Sequence, residues 1–270
     1  MLTALSPREA LTRYAARFEP VTDPRVRRVL LAEVVVVLLV TFGLSGLYAV
    51  LDLVSALLAP ADLADQTATL NASRSAHTWL DLAYQGLGVL RLTAWALLPL
   101  VLLAHTGIRA RAVGLVRDRA GSQVMWGLAL TAVIGIPGLA LYLGAVGAGF
   151  NLQVAASGLT ETWWRPLVLV LSAAGNGAAE EILVVGYLLI RLRQLGVPPT
   201  IALIGTAVLR GSYHLYQGFG GGAGNLAMGL VFALWWMRTR RLWPLILAHT
   251  LLDVAAFLGY ALVAPHVTWL

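Results

Sequence analysis

From residue 29 onward the chain is a succession of apolar stretches, most of them long enough to cross a bilayer, and the arginines gather in the segments between them. In hydrocarbon every backbone N–H and C=O must be satisfied internally, so uninterrupted apolar stretches of that length fold as helices. The chain is therefore expected to be an all-α, polytopic membrane protein with about seven transmembrane helices in one membrane domain, residues 29–270, preceded by a cytoplasmic arm, residues 1–28. Charged residues make up only 12% of the chain and apolar ones 59%, where soluble domains carry about 25% charge. The formal net charge of +6 comes from arginines at the ends of apolar runs. That is the pattern of the positive-inside rule, so it reads as topology and not as a nucleic-acid surface. All basic residues are Arg, and with the Ala, Leu, Val and Gly richness this suggests a GC-rich bacterial genome and hence the bacterial inner membrane. The absence of Cys excludes disulfides, thiolate metal sites and a Cys nucleophile.

Alternating loop charge puts the N-terminus in the cytoplasm and the C-terminus outside, with spans at residues 29–58, 82–104, 124–148, 165–191, 199–217, 225–237 and 243–263. No cleavable signal peptide is apparent, so the first apolar run reads as an anchor. In the arm, Leu11, Tyr14, Ala15 and Phe18 recur at helical spacing, which suggests a helix on the membrane surface between Pro7 and Pro20; a disordered arm is the alternative. Glu33, close to Arg28, is expected to snorkel to the interface. Arg91 falls midway along the second span, where it either lines a polar interior or, as the favoured reading, counters a buried carboxylate. The third span is uncharged, Gly-rich and interrupted by Pro137, so it is expected to pack through small residues. Arg191 and Arg193 close the fourth span at the inner face. The glycines of residues 218–224 read as a tight turn; without a following Lys-Ser/Thr they do not make a phosphate loop.

Few strongly polar residues fall within the last four spans: Asn176, Glu180, Glu181, Arg210, His214, His249 and Asp253. Asn176 and Glu180 are four apart, as are Arg210 and His214, and His249 and Asp253, so each pair shares a helix face. Glu181 is turned by about 100° from Glu180 and is expected to point away from it. At 1.5 Å per residue Glu180 stands ~16 Å from Arg191, and His249 and Asp253 stand ~12 and ~18 Å from Arg241, within a hydrocarbon layer of ~30 Å. His214 fits less well, at ~22 Å from Pro199.

One reading of these groups is structural glue between helices. The other is an acid–base set, because two histidines from separate spans and a carboxylate with no basic residue on its own turn suit proton transfer. A desolvated carboxylate suits a general base acting on water, and His and carboxyl partners suit stabilisation of a developing oxyanion. Ser212 and Thr250 adjoin the histidines but project from other faces, so neither is a convincing nucleophile. A zinc site of Glu180, His214 and His249 is chemically possible, although His-Glu-x-x-His spacing is lacking.

In the order Glu180-Glu181, then Arg210-Gly211-Ser212-Tyr213-His214, then His249-Thr250-Leu251-Leu252-Asp253, the chain resembles the CAAX protease and bacteriocin-processing (Abi) family of intramembrane glutamate proteases. The likeness covers about the last 110 residues, with a motif-bearing core at about residues 164–263. It implies a helical membrane core in which Glu180 activates water, His214 assists, and His249 with Asp253 stabilises the oxyanion, with no cofactor or metal. The implied partner is a membrane-associated peptide or protein. The chain departs from the family pattern twice: Val185 stands where the family has Arg, and Arg210 where it has Phe. Arg210 is accordingly expected to pair with Glu181, both in supporting roles. Two other functions remain open at this point: a non-catalytic binding or scaffold protein, such as one conferring self-immunity, and a proton-coupled transporter. The transporter is disfavoured by the lack of an inverted repeat.

Overall fold

The computed structural model describes residues 6–116, 118–155, 157–159 and 162–263. The expected outward C-terminus lies outside the described residues. Helix α1 (Pro7–Arg17) begins at a capping box, with Ser6 N–H donating to Glu9 at 2.8 Å and Pro7 in the first turn. It is docked on the rest of the chain: Tyr14 is fully buried, its hydroxyl donates to the Leu189 carbonyl, and its ring meets Trp236 edge-on.

The first apolar run is two helices, α2 (Pro24–Val40) and α3 (Phe42–Leu58), bent by 47°. The break sits at Thr41, whose backbone is non-helical (φ −134°, ψ −130°) and whose hydroxyl donates to the Val37 carbonyl at 2.6 Å. Gly43 allows the tight corner, since a Cβ there would stand 2.7 Å from the Leu38 carbonyl oxygen. The short strand β1 (Thr67–Thr69) follows, then α4 (Thr78–His105), a single turn α5 (Ala110–Val113), α6 (Ala120–Gly147) and β2 (Gln153–Ala155). β1 and β2 pair in parallel, Thr67 with Gln153 through Thr69 with Ala155, and tie two loops together. This three-residue ribbon is the departure from an all-helical chain, too short to leave a sequence period.

α6 runs straight through Pro137 as one helix. Its glycines serve packing only in part: Gly127 lies against Leu247 and Gly135 against Leu252, but Gly121, Gly138, Gly144 and Gly147 face open space. α7 (Arg165–Glu180), a π-helical stretch Glu181–Tyr187 and α8 (Leu188–Gln194) form one continuous span. α9 (Pro199–Ser212) ends earlier than expected, a 3-10 turn occupies Leu215–Gln217, and α10 (Phe219–Thr239) takes in most of the glycine tract. Only Gly218 makes a turn there, at φ 107°. Gly220 and Gly222 lie inside α10, where added Cβ atoms would meet Ala145 and Leu215 at 2.6 Å. α11 (Trp243–Val263) completes the fold.

Among the described residues three helical spans, Thr78–His105, Ala120–Gly147 and Arg165–Gln194, are long and apolar enough to cross a membrane, or four if the bent α2–α3 pair is one span. Seven is therefore not reached on length and composition. α9 has 14 residues, glycines and Asn225 dilute the apolar content of α10, and α11 counts as a shorter apolar helix over Trp243–Gly259. The three spans are unequally placed. Burial is 17% and 11% for the α4 and α6 windows but 61% for Arg165–Gln194, so that span is central and the other two face outward.

Candidate functional site

The central span carries Glu180 at the end of α7 and Glu181 at the start of the π stretch, both buried. α7 and α11 meet closely at Gly177, where a Cβ would lie 2.9 Å from Thr250 Oγ1 and 3.2 Å from the Ile246 carbonyl oxygen. That approach brings His249 of α11 against the carboxylates. α9 and α10 pack together on the other side, and α9 supplies Arg210, fully buried over the Phe232 ring of α10 at 5.5 Å.

Arg210 NH2 donates to Glu181 Oε1 at 2.5 Å and lies 3.8 Å from Glu180 Oε2. His249 Nδ1 meets the same Glu181 oxygen at 2.8 Å, and since a carboxylate can only accept, Nδ1 carries the proton. Its Nε2 lies 3.7 Å from Asp253 Oδ1, while Asn176 donates to Asp253 Oδ2 at 3.0 Å. Tyr213 donates its hydroxyl to Glu180 Oε2 at 2.6 Å. His214 Nδ1 lies 3.0 Å from the Arg210 carbonyl, which makes Nδ1 the protonated nitrogen and leaves Nε2 as an acceptor.

All seven polar groups singled out in the sequence thus lie on the elements around this cluster. Arg210 meets Glu181, but Glu181 is not turned away from the histidines. Side chains about 100° apart on a helix both reach groups in the wedge between them, and Arg210 and His249 approach that wedge. His249 is consequently bonded to Glu181 and not to Glu180. The depth assigned to His214 fails because α9 stops at Ser212, so His214 sits on the turn that follows and not on a straight helix. Among the described residues His214 and Glu180 share no direct hydrogen bond; the His214 ring bonds the Arg210 carbonyl instead.

Tyr213 was missed by sequence reasoning. A Tyr beside a motif His in an apolar segment was the available signal, because a buried phenol requires a partner. Two other readings change. Glu33 does not snorkel: it accepts from Tyr187 Oη at 2.8 Å and from Arg191 Nε and NH2 at 2.8 and 3.3 Å. Arg191, expected to close the span at the surface, is fully buried in that pair. Arg91 counters no carboxylate among the described residues; it is exposed, with its guanidinium carbon 5.2 Å from the Trp95 ring centre.

Three buried atoms of the cluster have no hydrogen-bond partner among the described residues: Glu181 Oε2, Arg210 Nε and Arg210 NH1. Among the described residues no three His, Asp or Glu side chains are grouped as metal ligands would be. Neither curated proteins nor solved structures provide a match to the chain. Residues 162–255, which carry every group of the cluster, match the type II CAAX prenyl endopeptidase Rce1-like family, consistent with the CAAX protease family that the three motifs resemble.

Proposed function

We propose that this chain is an intramembrane endopeptidase that hydrolyses a peptide bond of a membrane-associated peptide or protein, with Glu180 activating water. The observation that carries this reading is the buried Glu180 carboxylate, held at one oxygen by the Tyr213 hydroxyl with Arg210 beside it. Fixed in that way, the carboxylate has its other oxygen available to take a proton from water as the water oxygen adds to the scissile carbonyl carbon. His214, with Nδ1 committed to a backbone carbonyl, accepts from the same water through Nε2 and orients it. His249, flanked by Glu181 and Asp253, donates as an imidazolium from Nε2 to the developing oxyanion. Collapse of the tetrahedral intermediate breaks the C–N bond, and Glu180 returns its proton to the leaving amine.

This scheme uses no metal, and a chelator is expected to leave the rate unchanged. We place the protein in a bacterial inner membrane with the N-terminus inside and seven spans, counting α2–α3 as one and α9, α10 and α11 as short ones. The test is cleavage of membrane-anchored peptides by purified protein in lipid nanodiscs. Glu180→Ala should abolish it while the melting temperature changes little, and full activity in that variant would end the proposal. The Arg210–Glu181–His249 chain, which ties three helices together, favours one rival, a non-catalytic binding protein on the same fold. In that case Glu180→Ala would retain peptide binding and biological effect.

A further inference from the structure

Arg91 stands at the middle of α4, on its exposed side, in one of the helices able to cross a membrane. A cation there is costly unless an anion matches it. The buried and half-buried carboxylates are committed elsewhere: Glu33 to Arg191 and Tyr187, Glu180 to Tyr213, Glu181 to Arg210 and His249, Asp253 to Asn176, and Asp81 to Ser73 and the Arg74 N–H. The contact Arg91 does make, with the Trp95 ring one turn further along α4, occupies one face of the guanidinium, and among the described residues its N–H groups make no hydrogen bond.

Three observations connect this group to the catalytic cluster. Trp95 packs edge-on against Phe42 at 5.1 Å, Phe42 packs on Tyr213 at 4.9 Å, and Tyr213 holds Glu180, so an unbroken aromatic wall runs from Arg91 to the reacting carboxylate. The level agrees too: Leu92, the next residue, packs on Gly175, which precedes the Asn176 that holds Asp253. Finally, α4 packs on α7 and the π stretch while α3 packs on α9 and the 3-10 turn. α3 and α4 meet at Phe42 and Trp95 but share no extended contact, so the Arg91 side of α4 is left uncovered by α3.

We propose that Arg91 is a recognition site for a carboxylate of the peptide that reaches Glu180, either its C-terminus or an Asp or Glu side chain. A guanidinium offers two parallel N–H donors that fit a carboxylate. The identity of the ligand as a peptide rests on the peptidase reading.

The test uses Glu180→Gln protein in nanodiscs, so that nothing is turned over, and a labelled, palmitoylated apolar pentapeptide in three forms: free C-terminal acid, C-terminal amide, and amide with one internal Glu. At least one carboxylate form should bind about tenfold tighter than the plain amide. Adding Arg91→Gln should remove that preference at unchanged melting temperature, and Arg91→Lys should keep part of it. The free-acid and internal-Glu arms identify which carboxylate is read. Equal binding of the three forms, no binding of any, or a preference that survives Arg91→Gln overturns the proposal. So does unchanged peptide binding with loss of a co-purifying phospholipid, which would assign Arg91 to a lipid phosphate. Wild-type cleavage of the same peptides separates the two readings. Preference without cleavage removes the peptidase and keeps the carboxylate site, and cleavage without preference does the reverse.

Discussion

The central span holds two buried clusters built from the same parts, a carboxylate, an arginine and a tyrosine, and they are finished differently. At its C-terminal end Arg191 donates to Glu33 through Nε and NH2, to Thr106 and Gln194 through NH1, and to the Leu102 carbonyl through NH2. Every nitrogen of that guanidinium has a partner. One π-helical stretch away, Arg210 uses NH2 alone, and its Nε and NH1 and the Glu181 Oε2 have none among the described residues. A saturated buried pair fixes helices, whereas a partly satisfied one retains capacity to bind and react. The π stretch Glu181–Tyr187 lies between the two, and such insertions recur at functional sites. By changing the rotation along the span, it lets the glutamates face α9 and α11 while Tyr187 and Arg191 face α2.

Substitutions at five positions test this contrast. The largest effect should come from Glu180→Gln, a loss of roughly 10²- to 10⁴-fold in peptide hydrolysis with little change in melting temperature. Glu33→Gln should leave the rate near that of the wild type, and an equal loss in both would erase the distinction. Arg191→Met should be the stability counterpart, costing about 3 kcal/mol because Glu33, mostly buried, keeps only the Tyr187 hydroxyl as partner. This is measurable by denaturant unfolding in detergent, with the folded fraction still cleaving peptide. Adding Glu33→Leu should recover most of that loss.

Tyr213→Phe should lower kcat/KM about tenfold and cost about 1.5–3 kcal/mol of stability, because it removes a buried hydrogen bond to a charged group. A variant with normal turnover would show that the phenol only fills space. The smallest effect should be at the exposed Asp118–Arg241 pair, 3.0 Å apart. Arg241 holds the Asp118 carboxyl below its ordinary range, so any contribution is present at neutral pH and lost as pH falls through that lowered value. Asp118→Asn should leave the melting temperature at pH 7 unchanged within error, as should 1 M salt.

Much of the site was legible in the chain. Charges are so rare in the last spans that Glu180, Glu181, Arg210, His214, His249 and Asp253 could be picked out by polarity, and four-residue spacing gave the faces they share. Placement was less legible. The π stretch and the stop at Ser212 obey no local pattern, so an ideal helix sent Glu181 the wrong way and His214 too deep. Glu33 and Arg191 were read as interfacial because each lies near the end of an apolar run, and only the packing of α2 against α8 puts them together. Arg91 was given a partner it lacks, because depth along a helix is visible in a sequence but the direction a side chain faces is not.

By itself, then, the sequence determined that the chain is helical and membrane-embedded, since lipid tolerates no other fate for such apolar runs, and which few polar groups had to find partners. The tertiary structure decided which partners they found. Pairing among groups dozens of residues apart depends on where helices approach within hydrogen-bond reach, and here close contacts such as that at Gly177 set those approaches.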